Sequence, residues 1–413
     1  MSDYDRIPVV RIRSGKEKQL VRRHPWVFSG AIDQSSQRAD ESIPTLVRVE
    51  DVSGSFIAYG WHDSLSHIPV RLLSWDDSIV PDIAWWARMV SESVRRRARL
   101  FGNTRTSAFR LIHGEADFIP GLTADLYGTT IICLVSARIA WEMRAVVVQT
   151  LQKLLNPSLI VVSTDSAFCG IEHMKLQTEY YEQGALVDTP SISHVSFQEH
   201  GLHFTFEIGV GQKSGFYCDQ RENRRLVASY TENRTVLDTF CYTGAFSLYA
   251  LASRARSVTA VDSSKQALET FARQLAANVD QKTIPTDAKS SVTLVKADVF
   301  SYLREIDAGV YDCIILDPPK LAQTKGQVAR ALRAYKDLNR LAMEKVRPGG
   351  IVATFSCSGG VSREQLQTVL AWAAKDTGKE VQMLEVLGQP ADHPIRLSFP
   401  ESEYLKGFIF SVL

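Results

Sequence analysis

The sequence predicts an α/β protein whose C-terminal half contains a parallel β-sheet. After about residue 205, short apolar segments alternate with helical segments, an order typical of parallel strands covered by helices on both faces. The first 75 or so residues instead contain short strand-like segments between turns. With 413 residues, the chain is long enough for two to three domains of roughly 150 residues each. We predict three modules, at residues 1–77, 78–200 and 201–413.

The composition is that of an ordinary globular protein, with 45% hydrophobic and 23% charged residues. No stretch approaches the ~20 apolar residues of a membrane-spanning helix, so we expect no membrane partner. The N-terminal segment MSDYDRIPVV has acidic residues where a signal peptide would be basic. These features predict a cytoplasmic protein.

The net charge and the cysteines give little support to several simple classes of protein. Because 47 basic residues balance 46 acidic ones, the net charge of +1 does not by itself imply a nucleic-acid partner, and evidence for one must come from local clusters of basic residues. The six cysteines are scattered without a C-x-x-C pair, which argues against a zinc ribbon or a disulfide scaffold. We therefore predict no metal site and six reduced thiols.

The N-terminal module is predicted to be a small β-barrel, because short strands must close or cover their edges. Its four predicted strands are Val9–Arg13, Leu46–Glu50, Phe56–Trp61 and Val70–Ser74. The central module is predicted to be mixed α/β and to end in a linker over Pro190–Glu199. Its first helix carries a basic cluster that includes Arg95 and Arg96.

The C-terminal module has the regular alternation. Its predicted strands are Val236–Asp238, Val258–Asp262, Val292–Lys296, Cys313–Leu316 and Ile351–Phe355. Its predicted helices are Ala245–Ala252, Lys265–Asn278, Phe300–Glu305, Val328–Val346 and Arg363–Ala374, the second of them capped by Ser263 or Ser264. The last strands, near Val381–Leu387 and Phe408–Val412, have no long helix between them, which favours an antiparallel edge.

Acidic residues follow the first three of these strands, and ligands of open parallel sheets bind beyond the carboxyl ends of strands. The segment Asp238–Gly244 lacks G-x-G-x-x-G, so it offers no glycine cradle for a pyrophosphate. Asp262 is placed to accept hydrogen bonds from ribose hydroxyls, and Asp298 is placed beside an adenine amino group. This pattern indicates an adenosine ligand without phosphates, of which S-adenosylmethionine is the common one. The alternative is that these carboxylates cap ordinary turns.

The fourth strand is followed by Asp317-Pro318-Pro319-Lys320, a rigid loop whose prolines leave carbonyls free to face a substrate. An aromatic residue after the two prolines would indicate methylation of an exocyclic base nitrogen, and Lys320 departs from that pattern. A rigid turn without a ligand is the alternative.

The fifth strand is followed by Cys357, a thiol placed for covalent catalysis at the same edge of the sheet. C5 of a pyrimidine is a poor nucleophile until a thiolate adds at C6. Cys357 is therefore a candidate nucleophile for C5 methylation, and the alternative is a small buried residue. Cys313, within an apolar strand, is predicted to be core.

Two basic clusters are candidate RNA-binding surfaces. The first combines cations with neighbouring aromatic rings, which suits looped or single-stranded RNA. It contains Arg11, Arg13, Lys16, Lys18, Arg22, Arg23, Trp26 and Phe28. The second contains Arg95, Arg96, Arg97, Arg99 and Arg105, for which a solvated helix face is the alternative.

With these residues the sequence resembles class I S-adenosylmethionine-dependent methyltransferases and, more narrowly, the bacterial ribosomal RNA large subunit methyltransferase I family. Arg22–Ala31 resembles the family's RNA-binding PUA module, and residues 111–122 resemble its central α/β domain. Residues 211–221, 392–394 and 400–407 match the segments that flank its Rossmann-like methyltransferase core.

The resemblance implies roles for the candidate residues. Asp238, Phe240, Tyr242 and Gly244 would surround the methionine part of S-adenosylmethionine, with Asp262 at the ribose, Asp298 at the adenine and Cys357 as nucleophile. Lys213, Gln220 and Arg221 would frame the cofactor's carboxylate or the target nucleotide, and Asp317 would orient the flipped base. The remaining predicted cofactor-binding residues are Ser263, Val299 and Pro318.

The sequence as a whole predicts an S-adenosylmethionine-dependent enzyme that makes 5-methylcytosine in large-subunit (23S) rRNA. C5 methylation of uracil needs the same thiol addition and stays open, as does methylation at another atom with Cys357 as a bystander. A non-catalytic RNA-binding or ribosome-assembly protein is the alternative from another class. A homodimer is compatible with the sequence, which does not determine the oligomeric state.

Overall fold

The computed structural model describes residues 7–33, 35, 43–102, 105–209, 215–322 and 324–413. The chain divides into two compact units. The first contains Met1–Phe197, Phe206–Cys218 and Asp392–Ser402, and the second contains Gln198–Thr205, Asp219–Ala391 and Glu403–Leu413. Among the described residues, no helix is both long and apolar enough to cross a membrane. The predicted module boundaries near residues 77 and 200 stay a prediction.

The first unit begins with a β module. Its elements are β1 (Val9–Arg11), α1 (Lys18–Val21), β2 (Trp26–Val27), β3 (Thr45–Glu50), β4 (Phe56–His62) and β5 (Val70–Ser74). The strands form one sheet in the order β1-β3-β4-β5-β2, in which only β1 and β3 are parallel neighbours. Buried Val10, Val47 and Val70 contribute to its hydrophobic core. All four predicted strands are present.

A second sheet follows in the same unit. Its elements are α2 (Ile83–Phe101), β6 (Ala108–His113), β7 (Leu122–Tyr127), β8 (Thr130–Val135), α3 (Arg138–Glu142), α4 (Arg144–Leu155), β9 (Leu159–Thr164), α5 (Ser166–Cys169), β10 (Thr178–Glu182) and β11 (Ala185–Val187). The strand order is β11-β10-β9-β8-β7-β6. Only β8 and β9 are parallel, because the helices α3 and α4 connect them.

The predicted linker over Pro190–Glu199 is wrong in its second half. The structure has a two-stranded sheet there, formed by β12 (His194–Glu199) and β13 (Leu202–Glu207). Buried Val195 and Phe197 alternate with exposed residues in β12, which is the pattern of a strand with one covered face. His200 and Gly201 both have positive φ angles (49° and 88°), which make the tight turn between the strands.

The second unit contains the predicted parallel sheet. Its elements are α6 (Arg221–Ala228), β14 (Thr235–Thr239), α7 (Ala245–Ala252), β15 (Ser257–Asp262), α8 (Lys265–Asp280), β16 (Val292–Lys296), α9 (Val299–Glu305), β17 (Tyr311–Leu316), α10 (Val328–Lys345), β18 (Val346–Ser356), α11 (Arg363–Thr377), β19 (Val381–Gly388) and β20 (Lys406–Val412). The strand order is β16-β15-β14-β17-β18-β20-β19. Among these strands, β20 alone runs opposite to the others, and its antiparallel pairing with β18 and β19 confirms the predicted antiparallel edge.

The order of the strands determines where a ligand can bind. The chain builds outward from β14 to β16 and then returns to β17 on the other side of β14, so the switch point lies between β14 and β17. In the register, Thr239 pairs with both Val261 and Leu316. The segments that follow β14, β15 and β17 therefore leave the sheet at one level.

Side-chain caps determine where the helices around this edge begin. Ser264, rather than Ser263, caps α8 by accepting a hydrogen bond from the Ala267 amide (3.2 Å). Ser362 and Gln365 form a capping box at the start of α11. The helices that follow β15 and β18 thus begin close to the ends of those strands.

Candidate active site

Asp238 lies in β14 with its side chain buried. Its Oδ2 accepts hydrogen bonds from the amide and the hydroxyl of Ser247 in α7 (3.0 and 2.6 Å). Its Oδ1 is buried without a hydrogen-bond partner among the described residues. Burial raises the pKa of Asp238 to about 7, which outweighs the opposite effect of Ser247. The site therefore holds a buried carboxyl oxygen that a ligand donor can satisfy.

This carboxyl makes the stability of the ligand-free protein depend on pH. Because folding raises the pKa of Asp238 from 3.8 to about 7, its contribution is fully present below pH 3.8 and is lost as the pH rises through 7. We expect the free energy of unfolding to fall over this range, by at most about 1.4 kcal/mol per pH unit for this one group. Urea unfolding at pH 5 and pH 8 measures the difference.

The matched variants are Asp238→Asn and, as a control, Asp307→Asn at an exposed carboxylate. Asp238→Asn should reduce the difference between the two pH values, and Asp307→Asn should leave it unchanged. Asp317, whose pKa is also raised to about 7, keeps part of the dependence in both variants. If the free energy of unfolding differed between pH 5 and pH 8 by the same amount in the wild type and in Asp238→Asn, the pH dependence could not be assigned to Asp238.

The segment after β14 has an unusual backbone. Phe240, Tyr242 and Gly244 all lie in the left-handed region, with φ of 54°, 49° and 78°. Side-chain-bearing residues adopt this region rarely, and such strain concentrates at functional sites. At Gly244 an added Cβ would lie 2.2 Å from the ring of Phe271. The glycine therefore allows α7 to start directly against α8.

Asp262 ends β15 and is half-buried. Its Oδ2 accepts a hydrogen bond from the Tyr242 amide (2.9 Å) and its Oδ1 accepts one from the Ser264 amide (2.8 Å). The carboxylate is thus held in one orientation between two loops at the edge of the crevice. Its neighbour Ser263 is exposed.

Asp298 follows β16 and is exposed. Its Oδ1 accepts hydrogen bonds from the amide and the hydroxyl of Ser301 (2.9 and 3.0 Å), so it caps α9. Val299 is the buried first residue of that helix. The capping role is the alternative that the sequence left open, and the adenine contact stays a prediction.

Asp317 and Cys357 follow the neighbouring strands β17 and β18. Burial and the nearby charge of Asp219 raise the pKa of Asp317 to about 7, against a hydrogen bond with Gln220 that lowers it. Burial and the charges of Asp317 and Asp219 raise the pKa of Cys357 to about 12, although Lys320 acts in the opposite direction. Cys357 is therefore a thiol at neutral pH, and it could act as a nucleophile only after losing its proton. Pro318 is buried beside Asp317.

The turn before α6 brings further residues near Asp317, with which the Gln220 side chain forms a hydrogen bond. Gln220 and Arg221 are buried, and the Gln220 Oε1 accepts a hydrogen bond from Asn223 (2.6 Å). Lys213 lies outside the described residues. The sequence did not single out Asp219 and Tyr404, whose side chains form a hydrogen bond of 2.7 Å. The signal available in the sequence was their position inside segments that resemble the family.

The first basic cluster lies in the first unit. Arg11, Lys16, Arg22 and Arg23 are exposed, and Arg13 is half-buried. Trp26 is half-buried because its Nε1 donates to Glu115 (2.9 Å) and its ring packs against Phe399, with 4.6 Å between centroids. Phe28, 46% exposed, is the aromatic ring that faces solvent in this cluster.

The second basic cluster is divided by burial. Arg97 is buried and its two terminal nitrogens donate to Asp117 (2.7 and 2.6 Å). Arg96 also donates to Asp117 (2.9 Å), whereas Arg95 is exposed beside Glu92. Arg97 thus stabilises the first unit, and a continuous stripe from Arg95 to Arg99 is not formed.

The crevice of the second unit fits the predicted cofactor. Asp238 offers a buried oxygen without a hydrogen-bond partner among the described residues, and Asp262 offers a fixed carboxylate at a strand end. A family model described as S-adenosylmethionine-dependent methyltransferase matches residues 109–394, and one described as PUA-like domain matches residues 10–75. Fold and site together define an S-adenosylmethionine-dependent methyltransferase that carries a PUA-like domain.

A comparison with a named relative identifies the family within this class of methyltransferases. The chain is 36% identical over 404 residues to ribosomal RNA large subunit methyltransferase I of Escherichia coli O139:H28, covering 97% of this chain and 98% of the relative. The chain belongs to the ribosomal RNA large subunit methyltransferase I family, as the sequence predicted.

Solved structures confirm the fold over nearly the whole chain. One, described as a methyltransferase in complex with SAH, has a TM-score of 0.82 at 20% identity and covers 98% of this chain and 100% of its own. A second, described as a SAM-dependent methyltransferase from Streptococcus mutans, has a TM-score of 0.80 at 19% identity with the same coverage. The predicted combination of a PUA-like module with a Rossmann-like methyltransferase sheet is thus confirmed.

Proposed function

We propose that this enzyme methylates C5 of a cytosine in large-subunit ribosomal RNA, with Cys357 as the covalent nucleophile. The observation that carries the proposal is the placement of Cys357 and Asp317 after neighbouring strands, at the edge of the sheet that also holds Asp238 and Asp262. The RNA target is supported by the name of the relative at 36% identity.

The chemistry requires two groups on the target base. The Cys357 thiol first releases its proton to solvent water, and the resulting thiolate attacks C6. This addition makes C5 electron-rich, which is the activation that C5 methylation needs. Because the pKa of Asp317 is about 7, this carboxyl can carry a proton near neutral pH. Protonated Asp317 donates to N3 of cytosine while its second oxygen accepts from the exocyclic amine; uracil presents the opposite pattern. S-adenosylmethionine, when bound, supplies an electrophilic methyl group.

The residues of the crevice then divide into three groups. Those at the methionine part of the cofactor are Asp238, Phe240, Tyr242 and Gly244. Those at the adenosine are Asp262, Ser263, Asp298 and Val299. Those between the cofactor and the target nucleotide are Gln220, Arg221, Asp317 and Pro318. Lys213, outside the described residues, is proposed to frame the cofactor's carboxylate or the target nucleotide with Gln220 and Arg221. The unpartnered Oδ1 of Asp238 and the fixed carboxylate of Asp262 support the first two groups.

The exposed cations of the first unit are proposed to bind RNA phosphates. We expect the double variant Lys16→Gln/Arg22→Gln to weaken RNA binding and to lower the slope of log affinity against log salt by about two, because two phosphate contacts are lost. Fluorescence anisotropy at several salt concentrations measures the slope. The control is Lys265→Gln/Arg273→Gln, which removes the same charge from the exposed face of α8. Equal slopes of log affinity against log salt in both double variants would contradict the proposal that these cations of the first unit bind RNA.

The proposed reaction is tested with labelled S-adenosylmethionine, unmodified bacterial rRNA and isolated large subunits, followed by mass spectrometry of the nucleosides. New 5-methylcytidine is the expected product. Formation of 5-methyluridine would assign the enzyme to uracil, and another methylated nucleoside would make Cys357 a bystander. Binding of the cofactor without any product on either substrate would support the non-catalytic alternative.

A further inference from the structure

In the carboxylate of Asp219, one oxygen accepts a hydrogen bond and the other has no hydrogen-bond partner among the described residues. Its Oδ2 accepts a hydrogen bond from the Tyr404 hydroxyl (2.7 Å). Its Oδ1 is buried and has no hydrogen-bond partner among the described residues. Native proteins rarely leave a buried polar atom unpaired, so each such atom calls for a functional or structural reason.

Contacts on both sides place Asp219 near Asp317 and Cys357, the residues proposed to contact the target base. The adjacent Gln220 forms a side-chain hydrogen bond with Asp317, beyond β17. Tyr404 lies two residues before Lys406, which pairs with Ser356, the residue directly before Cys357. Asp219 therefore lies near the ends of β17 and β18, which carry the proposed base-orienting carboxyl and the proposed nucleophile.

The electrostatics agree with this position. The charge of Asp219 acts on both Asp317 and Cys357. The charge of Asp238 also acts on Asp317, and the charge of Asp262 acts on Asp238. Asp219 is thus close to the proposed nucleophile and to the proposed base-orienting carboxyl.

We propose that Asp219 is the catalytic base that removes the C5 proton after methyl transfer and that Tyr404 is its positioning residue. This inference rests on the proposed function. Oδ1 of Asp219 takes the proton from C5, and the C5–H electron pair forms the C5–C6 double bond. As this double bond forms, the C6–Sγ bond breaks, and its electron pair leaves with Cys357 as a thiolate. The products are 5-methylcytosine, a protonated Asp219 and the thiolate, so atoms and charge balance.

A physical reason favours this carboxylate for the step. The negative charge of Asp219 disfavours a thiolate on Cys357 while it persists. Protonation of Asp219 removes that charge in the same step that creates the thiolate. Lys406, 3% exposed and also interacting with the charge of Cys357, is the rival base.

The test uses the full chain, S-adenosylmethionine and large-subunit rRNA transcribed with [5-³H]cytidine. The wild-type enzyme should release one tritium for each methyl group transferred. Asp219→Asn should release tritium about 100-fold more slowly or slower still, a usual loss for a general base. It should transfer about one methyl group per enzyme and then accumulate a protein–RNA adduct that survives a denaturing gel. Tyr404→Phe keeps the carboxylate and should slow tritium release by less.

Three outcomes would overturn the inference. One is tritium release by Asp219→Asn at the wild-type rate. Another is a parallel loss of adduct and methyl transfer in that variant, which is the result of a structural role. The third is adduct accumulation in Lys406→Met and its absence in Asp219→Asn. A wild-type enzyme that transfers methyl groups without releasing tritium would instead overturn C5 methylation itself, and the inference with it.

Discussion

Replacement of Cys357 by alanine is expected to abolish 5-methylcytosine formation, with a loss of at least about 1,000-fold in turnover, the scale seen when a covalent nucleophile is removed. The reason is that C5 of cytosine stays unreactive without addition at C6. Binding of S-adenosylmethionine should be unchanged, because the proposed cofactor residues Asp238 and Asp262 lie on other strands. Nucleoside mass spectrometry and calorimetry measure the two quantities on the same preparation.

The matched control is Cys313→Ala, one strand away in the same sheet. Cys313 is fully buried in β17, so its removal should cost roughly 1 kcal/mol of stability and leave the turnover near that of the wild type. Full activity in Cys357→Ala would contradict the covalent mechanism and would favour methylation at an atom that needs no C6 adduct.

Replacement of Gly244 by alanine is expected to destabilise the second unit by about 2–4 kcal/mol. The left-handed backbone (φ 78°) costs a side-chain-bearing residue roughly 1 kcal/mol, and overpacking against the Phe271 ring costs about 1–3 kcal/mol more. Displacement of the loop should also weaken S-adenosylmethionine binding, because Phe240 and Tyr242 belong to the same segment. Urea unfolding and calorimetry measure the two effects.

Gly349→Ala is the control that separates the cost of the left-handed backbone from the cost of overpacking. Gly349 has nearly the same backbone angle (φ 72°), but an added Cβ would meet no atom within 4 Å. This control should cost only the conformational part, roughly 1 kcal/mol, and should keep the cofactor affinity. Equal losses of stability in Gly244→Ala and Gly349→Ala would show that the close approach of residue 244 to Phe271 is unimportant.

Local patterns accounted for most elements of the parallel sheet. The predicted bounds of the strand Val292–Lys296 and the helix Ala245–Ala252 are those of the structure. These elements were predictable because apolar runs, turn residues and caps are local features. The linker prediction failed at His194–Glu199 because apolar and polar residues alternate there with the period of a half-buried strand.

The candidate site was predictable for a related reason. In an alternating β/α chain, the residues after parallel strands reach the same edge of the sheet, so Asp262, Asp317 and Cys357 could be grouped from their order alone. The resemblance of short segments to a known family supplied the roles. The strand positions and the kind of ligand were therefore contained in the sequence itself.

Only the tertiary structure decided which polar groups are buried and what they pair with. Asp219 meets Tyr404 across 185 positions of sequence, and Arg97 is buried against Asp117 rather than exposed with its basic neighbours. The segment Asp392–Ser402 joins the first unit although the residues on either side of it belong to the second. Burial, charge pairing and the pKa values that follow from them depend on residues distant in the chain, and a linear pattern carries little information about these contacts.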